Sequence, residues 1–401
     1  MLRTIRKLKN EDIRNKRILL RVDFNVPQDK NGNISDDRRI ISGLLTIRYL
    51  LKKGAKQIIV MTHLGRPDGK SAKKLKVDRI AERLSKLLKK PVKKLDDCIN
   101  LKLKDTASDG RYNNFNRYNK FKIVMLENLR FYKQEEDNDK TFAKKLSSLA
   151  DIYVNDAFAV SHRKHASVHA ITYFLPSYAG LLLEDEITSI ENILKKPKRP
   201  FIAVIGGVKF ETKIPVMEHI LKKTDMILVG GAMAFTFFRA FGAHIGRSIY
   251  EKEYVRKAYT IFSNARKRII LPADVLIADR LNEKADVKNV YKADIIHDWY
   301  GIDIGEGAVT DYTHLIKNAK TIVWNGPMGM AEIRKFSNGT RKIALAIANS
   351  KAVTLVGGAD TLSLIDELKL ENKFTHISTG GGAFLEFIAG KKLPGIEVLR
   401  K

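Results

Sequence analysis

The chain has 401 residues, of which 44% are hydrophobic, and a formal net charge of +28 at pH 7. This length predicts two domains of roughly 200 residues, each with its own core. The single cysteine, Cys98, excludes an internal disulfide framework and any zinc or iron–sulfur site built from several cysteines. No signal-peptide pattern follows Met1 and no apolar run approaches ~18 residues, so we expect a cytoplasmic protein without a membrane span.

The first half of the chain alternates apolar runs, typical of buried strands, with amphipathic runs, typical of helices. The predicted strands are residues 17–22, 57–61, 122–126 and 152–154, and the predicted helices are residues 42–53, 77–89 and 140–150. Strands that alternate with helices predict a parallel sheet covered on both faces. Residues 99–120 are polar and rich in turn formers, and they predict a surface loop to which we assign no function.

Polar and charged residues follow the strands of this first half. They are Asp23, Asn25 and Arg39 after the first strand, His63 and Arg66 after the second, Arg130 after the third and Arg163 after the fourth. Arginine binds carboxylate and phosphate through paired hydrogen bonds, so this edge predicts a cup for a small, multiply anionic substrate. Surface salt bridges are the alternative for any single arginine. Metal binding by His63, His162 and His165 is disfavoured, because no acidic or cysteine ligands accompany these scattered histidines.

A predicted helix at residues 184–194, closed by Pro197 and Pro200, marks the expected connector between the domains. The alternation then restarts with a strand at residues 201–205 and continues to the end of the chain. Glycines follow several strands of this second half. The turns are Gly206-Gly207, Gly230-Gly231, Asn325-Gly326-Pro327, Gly357-Gly358 and Gly380-Gly381-Gly382.

These turns share one edge if the second sheet is also parallel, and they then outline a groove lined by backbone. A glycine turn at a helix start leaves N–H groups free for an anion and permits close backbone approach. The pattern therefore predicts a nucleotide site. A tight turn without a ligand is the alternative for any one of them.

Four further residues fit a nucleotide site. Asp360 follows Gly357-Gly358 and is a candidate Mg²⁺ ligand, with a helix N-cap role as the alternative. Lys209 and Lys213 are four residues apart, which predicts one helix face with a phosphate near both; two solvated lysines are the alternative. Glu332 is a candidate acceptor for a ribose hydroxyl. No P-loop or protein-kinase catalytic-loop motif accompanies these residues.

Eight motifs occur in collinear order between about residues 17 and 397. They are residues 21–27 (RVDFNVP), 63–67 (HLGRP), 127–131 (ENLRF), 155–158 (NDAF), 206–209 (GGVK), 324–327 (WNGP), 357–361 (GGADT) and 376–382 (HISTGGG). Together they resemble the phosphoglycerate kinase family. The resemblance implies reversible phosphoryl transfer between ATP and the carboxylate of 3-phosphoglycerate, giving 1,3-bisphosphoglycerate and ADP, by direct in-line transfer when two domains close.

The implied fold is α/β, with two Rossmann-like, doubly wound parallel-sheet domains joined by a hinge. The N-terminal domain, expected to bind 3-phosphoglycerate, would span residues 1–175, and the hinge residues 176–199. The C-terminal domain, expected to bind Mg-ATP, would span residues 200–386, with a tail, residues 387–401, that returns toward the N-terminal domain.

The family pattern also implies roles for individual residues. Those that would hold the triose are Asp23, Asn25, His63, Arg66, Arg130 and Arg163. Arg39, with Arg38 as an ambiguous neighbour, would bridge the reacting carboxylate and the moving phosphoryl group. Lys209 and the amides of Gly380, Gly381 and Gly382 would stabilise that group during transfer. Asp360 would hold the Mg²⁺ that accompanies the nucleotide.

The implied nucleotide groove is larger. Its members are Gly206, Gly207, Lys209, Lys213, Gly230, Gly231, Asn325, Pro327, Glu332, Gly357, Gly358, Ala359, Asp360 and Thr361. Two features depart from the family pattern. Ala359 stands where a third glycine is usual, and residues 210–212 replace the usual small and polar residues between the two lysines.

Two other functions compete with this interpretation. Another acyl-phosphate-forming kinase would share the nucleotide groove and differ in the cationic cup. A basic nucleic-acid-binding protein would use the net charge. We disfavour the second because lysine is spread along the whole chain and no zinc-finger or RNA-recognition signature occurs. We expect a monomer that acts on small molecules.

Overall fold

The computed structural model describes residues 1–99, 118, 120–265, 267–292 and 294–400. Most of the predicted surface loop at residues 99–120 lies outside these described residues. The chain divides into two compact units. Unit 1 is Met1–Ile187 with Lys392–Lys401, and unit 2 is Thr188–Lys391. Within the described ranges, no helix has the length and apolar character needed to cross a membrane.

Unit 1 is built on a six-stranded parallel sheet. Its strands are β1 Arg17–Val22, β2 Gln57–Met61, β3 Val92–Lys94, β4 Ile123–Met125, β5 Ile152–Asp156 and β6 Ser177–Ala179. Their order across the sheet is β3-β4-β2-β1-β5-β6, and all neighbouring pairs are parallel. The carboxyl ends of β4, β2, β1 and β5 are therefore neighbours on one edge.

Helices cover both faces of this sheet. They are α1 Asn10–Ile13, α2 Arg38–Lys52, α3 Asp78–Leu88, α4 Lys133–Glu136, α5 Lys140–Ser147 and the first part of α6 Leu181–Lys195, which continues into unit 2. In β1, Leu20 joins a cluster with residues of α2 and α3, such as Ile47. Its neighbour Leu19 points the other way and packs with Phe142 of α5. Burial on both faces explains why β1 is almost continuously apolar.

The structure corrects three local predictions in unit 1. Helix α2 begins at Arg38, four residues before the predicted start, so Arg38 and Arg39 lie in its first turn instead of before the helix. Strands β3 and β6 were not predicted, because each has only three residues and the exposed edge strand β3 carries two lysines. Strand β6 lies inside the segment that the sequence assigned to the hinge, and it pairs with β5.

Unit 2 contains two sheets. Its strands are β7 Phe201–Ile205, β8 Met226–Val229, β9 Ile269–Ile270, β10 Asp274–Ala278, β11 Val287–Tyr291, β12 Tyr300–Ile304, β13 Thr321–Asn325, β14 Val353–Gly357 and β15 His376–Ser378. The main sheet has the order β15-β14-β13-β7-β8-β9, and all its pairs are parallel. The small sheet β11-β10-β12 is antiparallel.

The helices of unit 2 pack on the main sheet and beside the small one. They are α7 Phe210–Ile220, α8 Ala232–Ala240, α9 Val255–Asn264, α10 Glu306–Asn318, α11 Asn338–Ala348, α12 Ala359–Glu367 and α13 Gly382–Ile388; α14, Pro394–Glu397, belongs to unit 1. Trp324 of β13 is fully buried in the main core. Two α/β units with six-stranded parallel sheets confirm the predicted fold class. The antiparallel sheet was not predicted, because β11 has no buried residue and its apolar and polar residues do not alternate.

Candidate active site

The predicted anion-binding residues of unit 1 lie at the carboxyl edge of its sheet. Asp23 follows β1, and one of its carboxylate oxygens pairs with Nη1 of Arg39 from the first turn of α2. The Arg39 side chain keeps 35% of its surface exposed, so this ion pair holds the guanidinium in place while leaving part of it accessible. Arg38 instead turns outward and pairs with Asp36. Of these two neighbouring arginines, only Arg39 is held against the strand ends.

His63, at the end of β2, is buried and uncharged. Nη2 of Arg21 lies 3.2 Å from His63 Nδ1. Since arginine can only donate, Nδ1 accepts this hydrogen bond and the ring proton sits on Nε2. Burial, together with the charges of Arg21, Arg130 and Arg163, holds the pKa of His63 well below its usual range. His63 can therefore donate to an anionic ligand without carrying a charge.

Arg130 follows β4 and is also buried. Its Nη1 donates to the carbonyl of Gly65 over 2.8 Å, and its Nε lies 3.3 Å from Glu136. Within the described chain, its Nη2 is buried and has no hydrogen-bond partner. Burial lowers the pKa of Arg130 from its usual value. An unpartnered guanidinium nitrogen is costly unless a ligand supplies an acceptor, so Arg130 fits anion binding.

Other predicted members of the cup vary in exposure. Asn25 accepts a hydrogen bond of 2.9 Å from the amide of Gly65 and so fixes the turn after β2. Arg163 is half-buried, with its Nε 3.4 Å from Nε2 of His162. Arg66 is exposed. The structure thus gives Asn25 a role in loop geometry, and it leaves Arg163 and Arg66 nearer to solvent.

Three buried residues beneath this edge were missed by the sequence analysis. Arg21 in β1 donates from Nε to Oγ of Ser167 over 3.0 Å. Ser167 in turn donates to both carboxylate oxygens of Glu135, from its hydroxyl over 2.6 Å and from its amide over 2.9 Å. Burial raises the pKa of Glu135 and the charge of Arg21 opposes that shift. In the sequence, Arg21 could have been noticed as an arginine inside an otherwise apolar strand. The sequence around Glu135 and Ser167 shows no comparable feature.

His165 borders this network but offers no metal site. Its Nδ1 lies 3.9 Å from Glu135, and burial with the neighbouring arginines lowers its pKa to about 3. Among the residues that the structure describes, no group of three or more His, Cys, Asp or Glu side chains could hold a metal ion.

The glycine turns of unit 2 do lie along one edge of its main sheet, but four of their amides are already used. Gly206 donates to the carbonyl of Asn325, Gly207 to that of Pro327, Gly230 to that of Ile205 and Gly231 to that of Met328. A Cβ on Gly206 would lie 2.1 Å from the Pro327 oxygen, and one on Gly326 would lie 2.2 Å from the Gly206 oxygen. These glycines allow neighbouring turns to pack together. Free amides at these four positions were predicted, and that prediction is wrong.

The last glycine turn is more open. Gly380 is buried, and its amide donates to Oγ of Ser378 over 3.2 Å. Gly381 adopts a φ of 53° as the residue that precedes α13, and a Cβ there would meet nothing within 4 Å. Gly382 begins α13, where the first amides of a helix lack partners within the helix. Of the three predicted donors, Gly381 and Gly382 are therefore the better placed.

Lys213 is the buried cation of unit 2. It lies in α7 with only 8% of its surface exposed, and its Nζ donates to Oδ1 of Asn325. Burial lowers the pKa of Lys213 to about 8, and the carboxylate of Asp360 partly opposes that shift. Lys209, in contrast, is exposed and precedes α7 as its N-cap residue. The prediction that both lysines share a helix face is therefore wrong, because the helix begins at Phe210.

Asp360 and its neighbours form the start of α12. Gly358 precedes the helix with a φ of 112°, and Ala359 and Asp360 are exposed. Thr361 is buried and accepts a hydrogen bond of 2.9 Å from the amide of Gly326, so it joins two turns. The exposed carboxylate of Asp360 suits one ligand position of Mg²⁺, which takes its other ligands from phosphate oxygens and water.

The remaining predicted members of the groove have simpler settings. Asn325 ends β13 and donates from Nδ2 to the carbonyl of Gly357 over 2.6 Å, which links two strand ends. Gly357 ends β14, where a Cβ would meet the ring of Phe384 at 2.5 Å. Glu332 is exposed in the segment after the Pro327 turn.

Comparisons with known proteins identify the family of this chain. A family model described as phosphoglycerate kinase matches residues 8–391. The chain is 48% identical to phosphoglycerate kinase from Dictyoglomus turgidum, over 99% of both chains. It is 45% identical to phosphoglycerate kinase from Geobacter metallireducens, over 98% of this chain and 97% of that protein.

Solved structures give the same result. The structure of phosphoglycerate kinase from Coxiella burnetii superposes with a TM-score of 0.86 and 37% identity, covering all of this chain and 98% of that one. The enzyme from Pyrococcus horikoshii superposes with a TM-score of 0.83 and 32% identity over the same shares. These matches confirm the prediction of a phosphotransferase with a carboxyl acceptor. The chain belongs to the phosphoglycerate kinase family.

Proposed function

We propose that this chain transfers the γ-phosphoryl group of ATP reversibly to the carboxylate of 3-phosphoglycerate. The observation that carries the proposal is the partly exposed Arg39 held by Asp23 at the same sheet edge as the buried donors His63 and Arg130. Such an edge offers several positive or polar donors to a small ligand with a phosphate and a carboxylate. Family membership over nearly the whole chain supports this choice of substrate.

The triose binds to unit 1 in this proposal. The unpartnered Nη2 of Arg130 and the Nε2–H of His63 donate to its anionic groups, and Arg163 and Arg66 add charge from the more exposed side. Asn25 shapes the turn at Gly65. Asp23 orients Arg39 for the reacting carboxylate. The predicted triose residues thus divide into donors and residues that position them.

The nucleotide binds to unit 2, along the glycine turns. Lys213 meets its phosphates, Lys209 reaches the transferring group from an exposed position, and Glu332 accepts a ribose hydroxyl. Asp360 would hold Mg²⁺, which neutralises phosphate charge when it is bound. Gly206 and Gly207, whose amides donate to the carbonyls of Asn325 and Pro327, line the groove as part of its wall.

The transfer itself needs no general base. An oxygen of the ionised carboxylate attacks the γ-phosphorus in line, the bond from that phosphorus to the β-phosphate oxygen breaks, and ADP leaves with that electron pair. No proton is exchanged, which agrees with a neutral His63 whose Nδ1 is occupied by Arg21. The chain's own contribution is positioning and charge neutralisation by Arg39, Lys209 and the amides of Gly381 and Gly382.

A coupled assay with ATP, Mg²⁺ and 3-phosphoglycerate tests the proposal. We expect turnover that requires all three, with acyl phosphate trapped by hydroxylamine. A panel of other acidic metabolites distinguishes the second candidate, another acyl-phosphate-forming kinase. Faster turnover of a different carboxylic acid would overturn the choice of substrate.

Three sequence-based expectations remain predictions. They are a monomeric state, a cytoplasmic location and closure of the two domains over bound substrates. The last follows from the proposal, because reacting atoms must come within roughly 3–3.5 Å while the two substrates bind to different domains.

A further inference from the structure

An apolar cavity of about 510 Å³ lies in unit 2 at the edge strand β9. Its walls come from the end of α8, from α9 and from residues 269–271. Phe241 and Phe262 line it with ring centroids 4.8 Å apart in an edge-to-face arrangement. Phe241 remains 46% exposed, so the cavity opens to solvent. This volume is in the range of sites that bind one small molecule.

Two lysines also line the cavity. Lys267 precedes β9, and Lys292 follows β11. In the described part of the chain, neither lysine has an ion pair, and the ring of Tyr291 lies 5.9 Å from Nζ of Lys292. Lysine packs its aliphatic stem on apolar surface while its ammonium group stays in water. The cavity thus combines an aromatic floor with two uncompensated positive charges.

We propose that this cavity binds a small organic anion with an aromatic or short aliphatic body and one acidic group. The body replaces water against Phe238, Phe262 and Ile269, which are apolar and largely buried. The acidic group meets Lys267 and Lys292 at the rim. The positive net charge of the chain favours approach of such anions over cations.

This site is separate from the proposed active site. None of its lining residues belongs to the glycine turns of the proposed nucleotide groove, and none is among the residues that we assign to the triose or the nucleotide. The inference therefore stands independently of the proposed function. An edge strand of two residues is too short to pair with an added peptide strand, which favours a small molecule over a peptide.

The test compares two fluorescent probes that differ by one charge. They are 1-anilinonaphthalene-8-sulfonate and its uncharged analogue N-phenyl-1-naphthylamine. We expect both to bind at one site, with the sulfonate bound more tightly by about five- to tenfold, the scale of two partly screened ion pairs. Saturating Mg-ADP should displace neither probe. Displacement by Mg-ADP would place the probes in the nucleotide groove and overturn the proposal.

Variants locate the site. The double variant Lys267→Gln/Lys292→Gln should bind the sulfonate no better than the neutral probe, while binding of the neutral probe stays unchanged. Ala243→Phe fills the cavity from its half-buried wall and should weaken both probes. The matched control is Lys317→Gln/Lys342→Gln, which removes the same charge from exposed positions on α10 and α11.

Two further results, both obtained with the variants, would contradict the inference. Equal losses of sulfonate binding in the test and control double variants would show that net charge alone attracts the probe. Unchanged binding in both Ala243→Phe and the lysine variant would place the probes elsewhere. Turnover of ATP with 3-phosphoglycerate should be unaffected by the lysine variant, and this assay separates failure of the inference from failure of the proposed function.

Discussion

Arg21 donates from Nη2 to Nδ1 of His63 over 3.2 Å, and both side chains are buried at the carboxyl edge of the unit 1 sheet. Asp23 also approaches this nitrogen, but its carboxylate is 3.8 Å away, beyond hydrogen-bonding distance. Arg21 therefore fixes the proton of His63 on Nε2. Ser167 and Glu135 hold Arg21 from the other side.

This relationship predicts an NMR signature. In the wild-type protein, the ¹⁵N shifts of His63 should report the Nε2–H tautomer at neutral pH, with no protonation until well below pH 6.5, because its pKa is lowered by burial and nearby arginines. Arg21→Met should remove the donor and one of those charges, so His63 should titrate at a higher pH. A wild-type proton on Nδ1 would contradict the assignment. Ser167→Ala is a milder variant that leaves the arginine in place.

Arg39 and Arg38 give a matched pair of variants. Arg39→Ala should lower kcat by about 100- to 1000-fold, because one well-placed donor to transition-state charge is worth that much. Nucleotide affinity should change little. Arg38→Ala should leave kcat within about twofold, since that side chain is 57% exposed and surface ion pairs contribute little. Steady-state kinetics of both variants test the assignment of the catalytic role to Arg39. A larger loss of kcat in Arg38→Ala would assign that role to Arg38.

Asp360→Asn should weaken binding of Mg-ADP and leave binding of 3-phosphoglycerate unchanged, because the lost charge belongs to the proposed Mg²⁺ ligand. Calorimetry with each ligand measures both effects. ADP in the presence of EDTA is the control, and the variant and wild type should bind this metal-free nucleotide with similar affinity. An equal loss with and without Mg²⁺ would show that Asp360 acts on the nucleotide by another route.

The buried carboxylate of Asp303 should make the stability of the protein depend on pH. This carboxylate is buried, accepts from the amides of Ile304 and Gly339, and burial raises its pKa to about 7. The folded state therefore binds the proton of Asp303 more tightly than the unfolded state does. The resulting stabilisation is fully present below about pH 4 and is lost as the pH rises through 7.

Asp303→Asn removes this titration. The free energy of unfolding of the wild type should fall relative to that of the variant between pH 4 and pH 7, by ~3–4 kcal/mol. Urea denaturation at several pH values measures the difference. Parallel pH profiles of the two proteins would show that Asp303 stays ionised in the folded state.

The regular strands could be predicted from the sequence, and much of the site's internal bonding could not. Strand β1 is recognisable because its residues are buried on both faces, whereas β11 has too few buried positions to stand out. The charged residues that follow the strands could also be predicted, because their positions are defined once the apolar strands are recognised. The acceptors of the Gly206 and Gly231 amides are the carbonyls of Asn325 and Met328, which are distant in the sequence, and local sequence carries no information about that pairing.

The buried Lys213, which we assign to the proposed nucleotide groove, gives the last prediction. Lys213 is buried beside Asn325 and its pKa is lowered to about 8, so at pH 8 about half of the free protein lacks this proton. A bound phosphate favours the charged form and raises that pKa. Binding of Mg-ADP should therefore take up to about half a proton near pH 8, and much less at pH 6.5.

Calorimetry in two buffers of different ionisation enthalpy measures this uptake. Lys213→Met should abolish it and weaken binding of the nucleotide. Lys209→Met is the control, because that lysine is exposed, and it should retain the uptake. The free energy of unfolding adds an independent check. Since folding disfavours the charged lysine, the stability of the wild type should rise between pH 8 and pH 10.5, and the rise should be absent in Lys213→Met. Uptake that persists in Lys213→Met would assign the proton to another group and remove Lys213 from the phosphate site.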